Sequence, residues 1–527
     1  MRSYYAHLET IAAPKQGAVS PRPTFRSSAI FPVMQRNGIT SRLLFMGYWI
    51  LKRNIHEIAA VINLRNPEGT LLTRRVMYIR EAKTFRIELS DELEQAGIDR
   101  FSDFDGSMEI EFFSTQNLVF PFPAVVINYY GPRFSTVVHT AQRIYNDFDD
   151  MKKNSQTDVP ESGFNIYADD DTEPFIGLIN GSVPVDSSHL KMQFFNDNQE
   201  TLDCHIDLGR MEPYEMRMIY PAQSANLRQF LHGRLGTARI SFNVNWIFPR
   251  LLVGNLHRSI PALTITHTYY DCSKASLDSD YWRAEEPGWH GAALMLPLEI
   301  VGSHFTNIYF YPIYSPSTFA IDVEIYNEKG SLLGSKREAL TIEAPLAKFY
   351  HIPLKALCKE FGIDDHQNYA ARLIARPHPG NRLPARIKLG LDVGSGNRET
   401  SCNICTNLQP FNPSLENKPT SFRWSPILAD QPKASVWIMN SSPAVDYQRN
   451  ADVTLTFFHE SDDQTLTRTL QIPPHGFKVL SIAEDEELTR FFNGQVGWMT
   501  SVTSNPYTTT YYFAESSAGV VGGDHGF

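Results

Sequence analysis

Ala60-Val61-Ile62-Asn63-Leu64-Arg65-Asn66-Pro67-Glu68-Gly69-Thr70-Leu71-Leu72-Thr73 reads as a strand, a turn and the start of a second strand. Ala60, Ile62 and Leu64 recur every second residue, the period that lines one face of a β-strand. Asn-Pro-Glu-Gly then supplies hairpin turn chemistry. The pattern returns at Leu190, Met192 and Phe194 before Asn196-Asp197-Asn198-Gln199, and at Ile321, Val323 and Ile325 before Asn327-Glu328-Lys329-Gly330. It returns again at Val453, Leu455 and Phe457 before His459-Glu460-Ser461-Asp462. These turns are spaced 130, 131 and 132 residues apart. A second landmark, a short segment after a helix-like stretch, falls at Gly106, Gly236, Tyr369 and Gly494, with gaps of 130, 133 and 125. Two landmarks of different chemistry on one period describe a fourfold internal repeat.

Residues between the apolar positions are Lys191 and Gln193, Asp322 and Glu324, Thr454 and Thr456, so one face of each strand is buried and the other meets water. In the first copy Ala59 and Val61 make the strand apolar on both sides, which predicts contact with a neighbouring module. Third strands follow at Phe85–Leu89, Met216–Ile219, Tyr350–Leu354 and Phe477–Leu480, and helical stretches of two or three turns at Asp91–Ile98, Leu354–Gly362 and Asp485–Phe492. Two further strands, such as Met108–Phe112 and Val125–Tyr129, close the module.

The reading is an all-β chain of four tandem antiparallel β-sandwich modules, each with one short helix. In architecture this resembles immunoglobulin-like and fibronectin-like sandwiches, on strand pattern alone and with no residue-level motif. Lapses in patterning draw the boundaries: a tail over 1–24, then modules over 25–150, 151–280, 281–412 and 413–527.

The 527 residues carry 48 basic against 58 acidic side chains, a formal net charge of −10, with no long basic run, which excludes nucleic acid as the expected partner. No stretch reaches the roughly 18 apolar residues of a membrane helix, and Met1 to Glu9 lack the apolar core of a secretory signal. The default compartment is the cytoplasm, with non-classical export or surface association as the alternative. Cys204, Cys272, Cys358, Cys402 and Cys405 share no position in the repeat, which favours reduced thiols. Asn180-Gly181-Ser182 and Asn440-Ser441-Ser442 match the glycosylation sequon, a pattern that means little without an export signal.

Leu389-Gly390-Leu391-Asp392-Val393-Gly394-Ser395-Gly396-Asn397 resembles the first motif of Rossmann-like methyltransferases, in which glycines let the backbone approach S-adenosylmethionine. Arg398 stands where that family has its third glycine, and no helical periodicity follows. The repeat register places the segment in the last strand and end loop of module three. Cys402-x-x-Cys405 lacks the two further ligands that zinc requires.

The module ends carry the candidate site residues, because loops gathered at one end of a sandwich are where recognition sits. These are Tyr130, Ser135, His139 and Arg143 in the first module, Tyr270 and Asp271 in the second, and Tyr512, Asp524 and His525 in the fourth. Tyrosine rings with neighbouring polar groups suit a polyhydroxyl ligand. The expectation is a non-catalytic binding or scaffold protein that recognises a glycan or protein partner, with no catalytic residue, metal or cofactor and with its oligomeric state open. The competing expectation is an enzyme, either a hydrolase using Asp524 and His525 or a methyltransferase.

Overall fold

The structure, a computed structural model, describes residues 23–139, 142–145, 156–158, 161–270, 281–283, 291–312, 315–344, 348–384, 387–396, 402–408, 410–412, 415–416 and 418–527. The predicted tail and most of the predicted linkers lie outside them. The chain divides into two compact units, Met1–Tyr270 and Asp271–Phe527.

The first sandwich of the first unit has eight strands: β1 (Arg26–Gln35), β2 (Thr40–Met46), β3 (Ile58–Arg65), β4 (Leu71–Ile79), β5 (Thr84–Glu88), β6 (Phe104–Phe113), β7 (Val125–Gly131) and β8 (Phe134–His139). They form two antiparallel sheets ordered β1-β6-β3-β4 and β5-β2-β7-β8. The other three sandwiches repeat this order, the second with two further short strands, Gln156–Asp158 and Tyr269–Tyr270, added to its larger sheet, which makes the repeat topological as well as sequential. A short helix joins the fifth strand to the sixth in every copy: Leu89–Gln95, Leu227–Leu231, Leu354–Glu360 and Glu486–Phe492. The first sandwich adds a helix at Tyr48–Arg53 that buries Tyr48 and Trp49 and is too short to show a period.

The second landmark needs one correction. Gly106 and Gly236 stand against the carbonyls of Arg65 and Phe195 on the third strand, and the residue that stands likewise against Phe458 is Gly497, not Gly494. Gly494 has φ +74 and ends the helix, as Gly97 and Gly362 do.

The turn residues are explained by their hydrogen bonds. Asn66 accepts from Gly69 N–H through its carbonyl and from Thr70 N–H through Oδ1 (3.0 and 2.8 Å). Asn196 and Asn327 repeat both bonds with Gln199 and Glu200, and with Gly330 and Ser331. An asparagine that closes its own turn fixes the hairpin register.

Within each unit the two sandwiches dock in one way. The Pro67 carbonyl accepts from Met216 N–H (2.8 Å), and in the second unit the Glu328 carbonyl accepts from Phe477 N–H (3.2 Å). Gly69 and Gly330 have φ +84 and +75, and a Cβ there would lie 2.2 Å from the carbonyl oxygens of Pro213 and Pro474, so both the turn and the close approach need glycine. At the docked segment, Tyr214 and His475 both have positive φ (62 and 57). Arg65 lies over the Tyr214 ring (4.3 Å), whereas Tyr326 stacks on His475 (5.0 Å). The docking contacts of this strand and its turn are made by Arg65, Pro67 and Gly69 rather than by Ala59 and Val61, the residues from which the sequence predicts a contact.

Asn180 and Asn440, the two sequon residues, anchor these docked segments. Both are fully buried. Asn180 Nδ2 donates to the carbonyls of Val183, Met211 and Glu212, and Asn440 Nδ2 to those of Arg449, Ile472 and Pro473. In the second unit one apolar cluster spans both sandwiches, with Trp437, Phe477, Tyr511 and Phe513 of the fourth packed with Leu389, Leu391 and Ile404 of the third. Each such side chain contributes about 1.5–3 kcal/mol on burial.

Candidate functional site

The structure sets the predicted end-loop residues mostly in strands. In the first unit β8 contacts its counterpart Ala262–His267 in the second sandwich. Ser135 and His139 belong to β8 and are buried. Ser135 Oγ accepts from Asn128 Nδ2 (3.0 Å), and the His139 ring meets His267 edge-on at 4.9 Å. Arg143 is buried against the rings of Phe122 and Tyr145 (5.3 and 5.4 Å). Tyr130 ends β7, donates its hydroxyl to Glu88 (2.7 Å) and carries Arg42 over its ring at 4.3 Å. Burial, then the Glu88 carboxylate, hold the Tyr130 phenol well above its ordinary pKa. Tyr270 is in a two-residue strand paired with Glu161, and Asp271 lies outside the described residues.

In the second unit Tyr512 and Asp524 are buried, and His525 is half-buried at the end of the strand Val521–His525. Cross-strand register sets Tyr512 opposite Asp524. Among the described residues the Tyr512 hydroxyl finds no hydrogen-bond partner, and burial, then the Asp524 charge, push its pKa well up. Asp524 Oδ1 accepts from the backbone N–H of His525 (2.7 Å), and the imidazole Nδ1 lies 2.9 Å from the Gly526 carbonyl. A serine meets a histidine elsewhere, Ser441 Oγ standing 3.2 Å from His475 Nδ1. That contact belongs to the docked segment, and burial pushes the His475 pKa down to about 4, which makes it a weak base at neutral pH.

The methyltransferase-like glycines are accounted for by packing. Their strand, Ile387–Ser395, runs antiparallel between His304–Phe310 and Cys402–Leu408, not in a parallel sheet followed by a helix. A Cβ on Gly390 would strike the Tyr311 hydroxyl at 2.1 Å, and one on Gly394 the Phe305 ring at 2.3 Å. Cys402 and Cys405 are buried in one strand three residues apart, which sends their side chains to opposite faces. Burial drives the Cys402 thiol pKa up, and its Sγ faces the Gly523 carbonyl at 3.6 Å. Cys272 lies outside the described residues.

An open groove of about 520 Å³ lies on the second sandwich's larger sheet, where Met192, Cys204 and Ile240 line it together with six polar residues. Register aligns its polar lining in two rows across three strands, Arg239-Gln193-Asp203 and Ser241-Lys191-His205. Gln193 Nε2 donates to Asp203 (3.1 Å). Lys191, Asp203 and His205 are exposed, and the other three are half-buried. Lys191 and Gln193 are legible in the sequence as outward positions of an alternating strand, but their cross-strand neighbours follow only from register.

The same face is used differently in the first and third sandwiches, where ion pairs lock it. In the first, Arg26 and Arg65 pair with Glu109 and Glu111 (Arg65 to Glu109, 3.0 Å), and Asn63 bonds both acids. In the third, Arg372 pairs with Glu324 (2.9 Å) and Arg376 with Asp322 (3.0 Å). No carboxylate among the described residues pairs with Lys191.

No protein-family model matches the chain, and no curated protein matches it by sequence. Among solved structures it is similar to a biofilm-associated protein BSP domain, at 9% identity and TM-score 0.16 over 98% of each chain. It is also similar to a tetra-tandem repeat in the extending region of a large adhesion protein, at 9% identity and TM-score 0.10 over 89% of this chain and 91% of the other. A third is the FN1-FN3 domains of chicken CNTN1, at 10% identity and TM-score 0.10 over 69% and 96%. None of these superpositions is close enough to assign an activity.

Proposed function

We propose that this chain is a non-catalytic tandem-repeat binding protein whose second sandwich takes a glycan along the groove between Lys191, Gln193, Asp203, His205, Arg239 and Ser241. The observation that carries the reading is the contrast within the repeat. The first and third sandwiches hold this face with ion pairs, whereas in the second the exposed Lys191 meets no carboxylate among the described residues and His205 and Asp203 beside it are exposed. Strands lie about 4.8 Å apart and alternate residues of one strand about 6.8 Å apart, so the two rows set side chains at regular intervals across the face.

On this reading the closing-strand residues Tyr130, Ser135, His139, Arg143, Tyr512, Asp524 and His525 serve packing between strands. A glycan ligand goes with surface association, by a route that the sequence does not reveal, rather than with the cytoplasm expected by default. The test is a glycan array probed with the intact protein, repeated with Lys191→Ala and His205→Ala combined. Specific glycan signal that drops at least tenfold in the double variant is expected. No signal from the wild type, or signal unchanged in the variant, would remove the assignment.

A further inference from the structure

Arg423 lies in the edge strand Ser421–Ile427 of the fourth sandwich, which pairs with Gly497–Thr503. Register sets Arg423 opposite Ser501, which in turn stands opposite Leu455 of the third strand, and it sets Ser421 opposite Thr503 and then Val453. Leu455 and Val453 are fully buried, so this is the core-facing side of the sheet. An arginine is thus turned inward at the sandwich edge, ringed by the hydroxyls of Ser421, Ser501 and Thr503.

Two other low-exposure arginines of this unit meet acids, Arg372 with Glu324 and Arg376 with Asp322. Arg423 meets none among the described residues. Among the described residues its enclosed Nε has no acceptor, and the enclosed Ser501 hydroxyl opposite has no hydrogen-bond partner. Burial alone, with no neighbouring charge to offset it, pulls the Arg423 pKa below its ordinary value. Two buried donors aligned in register and lacking an acceptor define the chemistry that is missing. The side chain keeps part of its surface in water, so a small ligand can reach it.

We propose that Arg423 and Ser501 bind one small oxyanion, a carboxylate or a sulfate-type group, at the edge of the fourth sandwich. The guanidinium supplies charge and a planar set of donors, Ser501 supplies the hydroxyl opposite, and Ser421 and Thr503 line the entry. The site is separate from the groove of the second sandwich and stands whether or not that groove takes a glycan.

The experiment is calorimetric titration of the full chain with sodium sulfate and, separately, sodium acetate, with ionic strength held constant by sodium chloride. One saturable site is expected for at least one of the two, and the preferred ion tells a tetrahedral from a planar oxyanion. Arg423→Met should weaken it at least tenfold and Ser501→Ala several-fold, with far-ultraviolet circular dichroism unchanged. If Arg423→Met does not fold, Arg423→Lys and Ser501→Ala carry the test. Absence of saturable binding in the wild type, or equal affinity in the folded variants, would overturn the proposal.

Discussion

Asn440 uses both ends of its amide: Nδ2 donates to three backbone carbonyls, while Oδ1 accepts from the Tyr447 hydroxyl and from Asn505 Nδ2. Alanine there would strand groups on both sides, each costing about 1–3 kcal/mol when left unpaired and buried. Asn440→Ala is expected to destabilise the protein by about 3 kcal/mol in urea unfolding, and a loss under about 1 kcal/mol would show that water replaces the amide. The sequon at this position is a coincidence of spelling, since a fully buried side chain is closed to a glycosyl donor. Gly330 makes a second point at this scale. Gly330→Ala meets both the left-handed backbone and the Pro474 carbonyl, so a cost of at least about 1–2 kcal/mol is expected. Gly396→Ala shares the positive φ but meets no atom within 4 Å, and should cost less in the same unfolding assay.

Elements differed in how far they could be read. Strands with one wet face alternate, and the third strand of each sandwich was legible for that reason. β1, β7 and β8 are buried along almost their whole length, so they carry no alternation, and β8 read as a loop because its second face is covered by the neighbouring sandwich. The candidate residues there had the right place in the chain and the wrong surroundings. The strand His304–Phe310 supports a prediction in pH. His304 has Nδ1 at 2.9 Å from the Val301 carbonyl and Nε2 at 3.0 Å from Glu515 of the fourth sandwich, and both of those oxygens only accept. The ring ties the third sandwich to the fourth, with Glu299, Lys433 and Lys355 around it. The Glu515 hydrogen bond raises its pKa above the ordinary 6.5, and the same bond lowers that of Glu515. The histidine's contribution is complete below about pH 6.5 and is lost as pH rises through the raised value. The Glu515 contribution is present above its ordinary value of 4.5 and is lost on acidification through the lowered one. Glu299, raised chiefly by burial, loses stability as pH rises from its ordinary 4.5 through the raised value. Melting temperature should therefore fall above neutral pH, and His304→Gln should flatten that limb; parallel profiles would rule the clamp out.

At the scale of the molecule the sandwich pair is the structural repeat. The turn-to-carbonyl bond, the buried asparagine and the positive-φ residue recur from one unit to the other, while the side chains at the docking point differ. Residues 281–527 expressed alone are expected to melt cooperatively. Residues 418–527 alone would uncover Trp437, Phe477, Tyr511 and Phe513 and should melt without cooperativity or aggregate; a sharp two-state melt of that fragment would show the shared cluster to be dispensable. The docked turn also sets a clock for synthesis. The Pro67 carbonyl waits for the N–H of Met216, roughly 150 residues later in the chain, which at about 5–20 residues per second is a delay of roughly 7–30 s. During that interval each odd-numbered sandwich leaves the ribosome with an unoccupied docking face. The two docking points close with different side chains, arginine over tyrosine in one pair and tyrosine on histidine in the other, so the backbone fit is shared and the side-chain match is particular to each pair.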